Sequence, residues 1–183
     1  MNNSTKRFFI ALVPPPDICA YVNHIKQDFV VNYQSRRALN SPPHITLQPP
    51  FEWKSENLPI LQQNLQKFAE LQVPINIILS GFGAFPPRVI YVNVLKTPQL
   101  LSLQKNLATH LETSLKIIDN NSKKRPFSPH LTVAFKDLSQ QNFQAAWPEY
   151  ENREIEFTFK ATQLSLLKHE GIWHIETEFG LGV

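Results

Sequence analysis

The apolar and polar positions of the chain fall into short runs of strand and helix character. Arg7-Phe8-Phe9-Ile10-Ala11-Leu12-Val13 lacks polar alternation and predicts a strand buried on both faces. Pro14-Pro15-Pro16 ends it, and Asp17 is placed to cap a helix whose Ile18, Tyr21, Val22, Ile25 and Phe29 share one stripe. A polar loop from Asn32 to Ser41 leads to Pro42-Pro43-His44-Ile45-Thr46-Leu47, whose β-branched, alternating character predicts a second strand. Leu58, Leu61, Leu65 and Phe68 then mark a helix, and Val73, Ile75, Ile77 and Leu79 recur at the strand period. Gly81-Phe82-Gly83 with Pro86-Pro87 reads as the turn that follows.

From Arg88 the order repeats. Arg88 to Val94 reads as a strand, Thr97 as a cap with Pro98 at the first helical position, and Leu100, Leu103, Leu107 and Leu111 as a helix stripe. A polar loop again precedes a proline and a histidine, and Pro129-His130-Leu131-Thr132-Val133 predicts a strand. A short helix from Ser139 to Trp147 follows. Next come a strand through Ile155, Phe157 and Phe159 continuing towards Leu166, a Glu170-Gly171 turn, and a last strand from Trp173 to Phe179. Internal duplication is the economical explanation, with approximate halves 7–87 and 88–179 in a single bilobal domain spanning 1–183. The fold class expected is α+β: two pseudo-twofold-related antiparallel sheets with helices on their outer faces.

Composition narrows the setting. The 183 residues suit one domain, and 42% hydrophobic with 11% aromatic residues describe a folded chain. No apolar run approaches the roughly 20 residues that span a bilayer, so no membrane association is expected. The opening apolar run is short for a signal peptide, and the single cysteine, Cys19, offers neither a disulfide nor a zinc cluster. A cytoplasmic monomer is the expectation. A net charge of +3 is compatible with a polyanionic partner without requiring one. None of the five glycines forms a nucleotide-phosphate loop, so phosphate must be held in another way.

The two His-x-Thr strings supply such a way. On a strand, residues i and i+2 share a face, so His44 and Thr46 point one way and Ile45 and Leu47 the other; His130 and Thr132 oppose Leu131 and Val133 in the same manner. Lobes packed about a twofold would present two imidazoles and two hydroxyls to one phosphate. Phosphodiester hydrolysis without a metal needs a base for the attacking water, an acid for the departing ribose oxygen, and donors for the non-bridging oxygens. Imidazole suits both proton roles near neutral pH, and threonine hydroxyls supply aimed hydrogen bonds. One such string is weak, since the composition yields roughly 0.1 by chance, but two at matching positions of a repeat are specific.

Pro43-His44-Ile45-Thr46-Leu47 and Pro129-His130-Leu131-Thr132-Val133 resemble the paired motifs of the 2H phosphoesterase superfamily, which includes the bacterial 2'-5' RNA ligase and RNA 2',3'-cyclic phosphodiesterase group. Arg7 to Leu12, Phe85 to Val92 and Arg125 to His130 extend the resemblance along nearly the whole chain. It implies a LigT-like bilobal fold and hydrolysis of 2',3'-cyclic phosphates on RNA ends or small nucleotides, or cleavage and ligation of 2'-5' linkages, without cofactor or metal. It also implies His44 as proton donor, His130 as proton acceptor, and Thr46 and Thr132 as phosphate ligands. Gln48-Pro49-Pro50 departs from the hydrophobic strand that many relatives have there. A non-catalytic nucleotide-binding module, or a phosphodiesterase for 2'-5' oligoadenylate or a cyclic ADP-ribose phosphate, are the alternatives.

Basic clusters lie in the loops entering each motif: Arg36 and Arg37 before the first, Lys123, Lys124 and Arg125 before the second. They are candidates for contacting RNA phosphates, against solvated loop charge as the plainer reading. Arg88 is a further candidate. Phe51 and Phe127 are candidates to stack a base, although Phe51, Trp53, Phe85, Phe127 and Phe135 as a group fit packing better. His24 and His110 read as helix-surface residues, His169 and His174 have the wrong spacing for a zinc motif, and Cys19 reads as structural.

Overall fold

The computed structural model describes residues 4–119 and 125–182. Eight strands form two antiparallel four-stranded sheets, the α+β arrangement expected. Strand β1 (Thr5–Leu12) leads to helix α1 (Pro16–Tyr33), β2 (Ile45–Lys54), α2 (Leu58–Glu70) and β3 (Ile75–Phe85). Then follow β4 (Val89–Val94), α3 (Pro98–Leu115), β5 (His130–Ala134), α4 (Gln140–Tyr150), β6 (Glu156–Ala161), β7 (Gln163–Glu170) and β8 (Ile172–Gly180). The first sheet has the order β2-β1-β7-β8 and the second β5-β4-β3-β6. Both place a motif strand at the edge.

Sheet membership does not follow the halves 7–87 and 88–179. Strand β3, from the first half, pairs with β4 and β6 in the second sheet, while β7 and β8, from the second half, complete the first. The strand expected to run from Ile155 towards Leu166 accordingly breaks at Thr162, where the chain passes from one sheet to the other. Helices cross as well: α1 packs on β5, and α3 packs on β2.

Local chemistry explains most elements, with two corrections. Thr97 Oγ1 accepts the Leu100 N–H at 3.3 Å, and Ser139 Oγ accepts that of Asn142 at 3.1 Å, so α3 and α4 begin on side-chain caps. Asp17 does not cap α1. That helix begins at Pro16, whose missing N–H is no loss there, and Asp17 sits in the first turn facing the positive end of the helix dipole. Gly81-Phe82-Gly83 is not a turn. The strand continues through it with a bulge, because Gly81 takes φ 67°, which only glycine adopts readily, and the chain reverses at 86–88, at the Pro86-Pro87 part of the expected turn. Pro49 and Pro50 likewise lie inside β2, tolerated because β2 is an edge strand whose pairing to β1 shifts between Phe8 and Ile10.

Strand β1 is buried on both faces from Phe8 to Leu12. Phe8, Ile10 and Leu12 enter a core that also contains Ile77, Ile90 and Leu131 of the second sheet. Phe9 and Ala11 face the other way, against Leu167 and Trp173. That second face forms one wall of the cleft.

Candidate active site

The motif strands β2 and β5 pack together where the sheets meet. Along each, burial alternates as strand geometry requires: Ile45 and Leu47, like Leu131 and Val133, are buried in the core, while His44, Thr46, His130 and Thr132 are half-buried. All four of the latter line a single cavity of about 300 Å³.

The two imidazoles are held in matching ways. His44 Nδ1 donates to Pro42 O at 2.8 Å, and His130 Nδ1 donates to Ser128 O at 2.7 Å. A carbonyl can only accept, so both rings carry their neutral-form proton on Nδ1 and keep Nε2 for exchange. Each ring is also backed by an aromatic from the neighbouring strand: His44 by Phe9 at 4.6 Å and His130 by Tyr91 at 5.1 Å between centroids. Phe85 meets His130 edge-on. Gly83 makes room for the Tyr91 ring, since a Cβ there would stand 2.5 Å from Tyr91 Cε2.

Burial drives both imidazoles towards the neutral form. His44 is lowered to about 4, first by desolvation and then by the positive charge of Lys26 and the proximity of His130, against the opposing hydrogen bond to Pro42. His130 is lowered too, by desolvation against its hydrogen bond to Ser128. An anionic substrate would reverse this by stabilising imidazolium.

The remaining walls come from distant segments. A single 3₁₀ turn, Arg37–Asn40, contributes Arg37, Ala38 and Asn40, with Ser41 beyond it. The Asp137 carboxylate fixes this turn from beyond β5, accepting Ser35 Oγ at 2.9 Å, Arg36 N at 2.7 Å and Arg37 N at 2.9 Å. Phe135 and Pro50 form a rim, and the β7–β8 hairpin supplies His169 and Trp173. Arg7 lies over the Trp173 ring at 5.6 Å. A second groove of about 480 Å³ shares Thr46 and His130 with the first and runs along α3 towards Arg125 and Phe127.

The substrate-contact candidates thus separate. Arg37 lines the cleft, and Arg125 and Phe127 line the second groove. Arg36 is exposed outside both, its backbone serving the Asp137 clamp. Arg88 lies in the exposed reversal after β3, also outside both, because the strand it was expected to open begins one residue later. Phe51 is a packing residue against Phe8 and the core, since its β2 position faces inward. Lys123 and Lys124 lie outside the described residues. His110 is not a surface residue: it packs on Phe68, with Nε2 buried. Phe9, His169, Trp173, Lys26 and Asp137 were not singled out from the sequence as site residues. None belongs to a motif, and only the pairing of β1 with β7, or of a helix with a loop, brings them near the histidines.

Among the described residues, no group of three or more His, Cys, Asp or Glu side chains is gathered as for a metal ion, and no helix is long and apolar enough to cross a membrane. Two sheets meeting at paired His-x-Thr edge strands define the class of the 2H phosphoesterases. The model of the 2'-5' RNA ligase superfamily matches residues 14–173, and the chain belongs to that superfamily.

Among curated proteins, one from Bacillus mycoides (strain KBAB4) named "Putative phosphoesterase" is 28% identical over 145 residues, covering 77% of this chain and 80% of that one. Among solved structures, TT0787 of Thermus thermophilus superposes with a TM-score of 0.69 at 20% identity, covering 96% of this chain and 97% of that one. Escherichia coli LigT complexed with 3'-AMP superposes at 0.68 with 18% identity, covering 97% and 99%. At these identities the likeness to the solved structures is one of fold.

Proposed function

We propose that this protein is a metal-independent phosphodiesterase that hydrolyses the 2',3'-cyclic phosphate ends of RNA or nucleotides by acid–base catalysis between His44 and His130. The observation that carries this reading is the matched pair of Nδ1-anchored imidazoles lining one cavity with Thr46 and Thr132. One imidazole takes the proton of the attacking water as its oxygen bonds to phosphorus. The P–O bond to one ribose oxygen breaks, and the other imidazole gives that oxygen a proton, leaving a ribose phosphomonoester. The threonine hydroxyls donate to the non-bridging oxygens. Escherichia coli LigT, of the same fold, has been solved with 3'-AMP, NADP+ and ATP, which supports a nucleotide-sized ligand.

We also read the chain as one bilobal domain built by duplication. In each sheet the motif strand lies at the edge beside the strand that opens its half, and α1 and α3 are equal in length, which supports this.

The test incubates the protein with a 2',3'-cyclic mononucleotide and a cyclic-phosphate-ended oligoribonucleotide, with and without chelator, and identifies the product isomer. Turnover should resist chelator and fall by about 10²–10⁴ in either His44→Ala or His130→Ala. Turnover that survives in both variants would place the chemistry elsewhere. Nucleotide binding without product under any condition would make the cleft a binding module.

A further inference from the structure

We propose that Trp173, presented by the β7–β8 hairpin, is the platform on which the base of the reacting nucleotide stacks, so that the cleft takes a whole nucleoside cyclic phosphate and selects against the same cyclic ester on a smaller alcohol. This rests on the hydrolytic reading and adds to it a specificity-determining residue.

The wall that carries Trp173 is built by the strands beyond the first motif strand. In the first sheet β1 lies beside β2, followed by β7 and β8. Phe9 and Ala11 of β1, Leu167 of β7 and Trp173 of β8 form an apolar cluster separate from the main core. The first three are buried, and Trp173 is half-buried. Phe8, Ile10 and Leu12 already supply the core from the other face of β1. An apolar strip on the second face, ending in a half-buried indole that lines a cavity, is the surface that a flat apolar ligand group fits.

The indole is fixed before any ligand arrives. Phe9 meets it at 4.6 Å between centroids and an interplanar angle of 66°, and His169 meets it at 4.9 Å and 63°. The Arg7 guanidinium lies over it at 5.6 Å. His169 and Trp173 are paired across the hairpin, whose reversal at Gly171 takes φ 81°. Backbone pairing therefore sets the ring, and a ring held this way loses little freedom on binding.

Its separation from the reacting centre suits a nucleotide. Phe9 stands between the two, its centroid 4.6 Å from that of His44 and 4.6 Å from that of Trp173. A single phenyl ring thus separates the indole from the imidazole, which is the gap a ribose bridges between a phosphate at His44 and a base at Trp173. The cavity that both line, about 300 Å³, is at the small end of ligand pockets and has room for one nucleotide. Arg37 and Asn40 of the 3₁₀ turn line the same cavity and offer polar groups to the edge of the base or to the ribose hydroxyls.

The test measures steady-state kinetics on adenosine 2',3'-cyclic phosphate and on glycerol 1,2-cyclic phosphate, which presents the same five-membered cyclic ester without a base. Wild type should show a KM about tenfold or more lower for the nucleotide, the size expected of one stacked base. In Trp173→Leu that ratio should fall towards unity, and in Trp173→Phe, which keeps a flat ring, most of it should return. A Trp173→Leu protein that discriminates like wild type overturns the proposal, as does a wild type with equal KM for both esters. A second measurement does not depend on the leucine variant folding. Adenosine 3'-monophosphate added to wild type should quench indole fluorescence, and Trp173→Phe, which retains Trp53 and Trp147, should lose that quenching. Quenching that persists in Trp173→Phe overturns the proposal. Quenching that depends on Trp173 in a protein that turns over neither ester supports the base platform and overturns the hydrolytic reading instead.

Discussion

Replacing His44 by asparagine removes the most strongly shifted imidazole of the cleft while keeping an amide donor for Pro42 O. In the folded protein the His44 ring is lowered to about 4 from its ordinary 6.5, chiefly because burial disfavours the charged form. Between these values the unfolded chain binds a proton that the native ring refuses, so stability falls as pH falls through that window. Above pH 6.5 the ring is neutral in both states and the loss is absent; by pH 4 it is almost complete. A difference of this size corresponds to about 3 kcal/mol.

The assay is urea unfolding at about pH 7.5 and about pH 4, followed by tryptophan fluorescence. Wild type should lose about 3 kcal/mol more than His44→Asn on going from the higher to the lower pH. With a urea slope of about 2 kcal/mol/M, that separates the midpoint changes by roughly 1.5 M. Carboxylates that titrate in the same window contribute equally to both proteins and cancel. Equal losses in the two proteins would show that His44 is not held neutral by its surroundings, and the argument from burial would fail.

Further outcomes follow from other contacts. Asp137→Ala removes the acceptor for Ser35, Arg36 and Arg37, so it should destabilise by about 2 kcal/mol and raise KM more than it lowers kcat, checked by denaturation and steady-state kinetics. Gly83→Ala pushes against Tyr91 and Asn93, and should cost about 1–3 kcal/mol and shift the ring signals of His130 but not His44. An unchanged His130 spectrum would refute the packing of Tyr91 against that ring.

The hydrophobic pattern was sufficient to find nearly every element, because strand and helix periods are local properties of the chain. It also showed which side of each motif strand faces away from the core: the alternation of His44, Ile45, Thr46 and Leu47 survives intact as alternating burial. It began the reversal too early, at Gly81 in place of Pro86, because glycines serve a bulge as readily as a turn, and it assigned the cap of α1 to Asp17, because a proline start leaves the acidic residue one place inside the helix.

By itself the amino-acid sequence determined the repeated strand and helix order, the two His-x-Thr faces and the chemistry those side chains can carry. Only the tertiary structure decided that β3 joins the second sheet and β7 and β8 the first, and hence that Phe9, His169 and Trp173 wall the same cleft as both histidines. It likewise decided that Lys26 is buried with its Nζ donating to Ser41 O at the edge of the cleft. The physical reason is that periodicity states which face of an element is buried, whereas the partner it is buried against depends on how distant segments pack, and no local pattern encodes that choice.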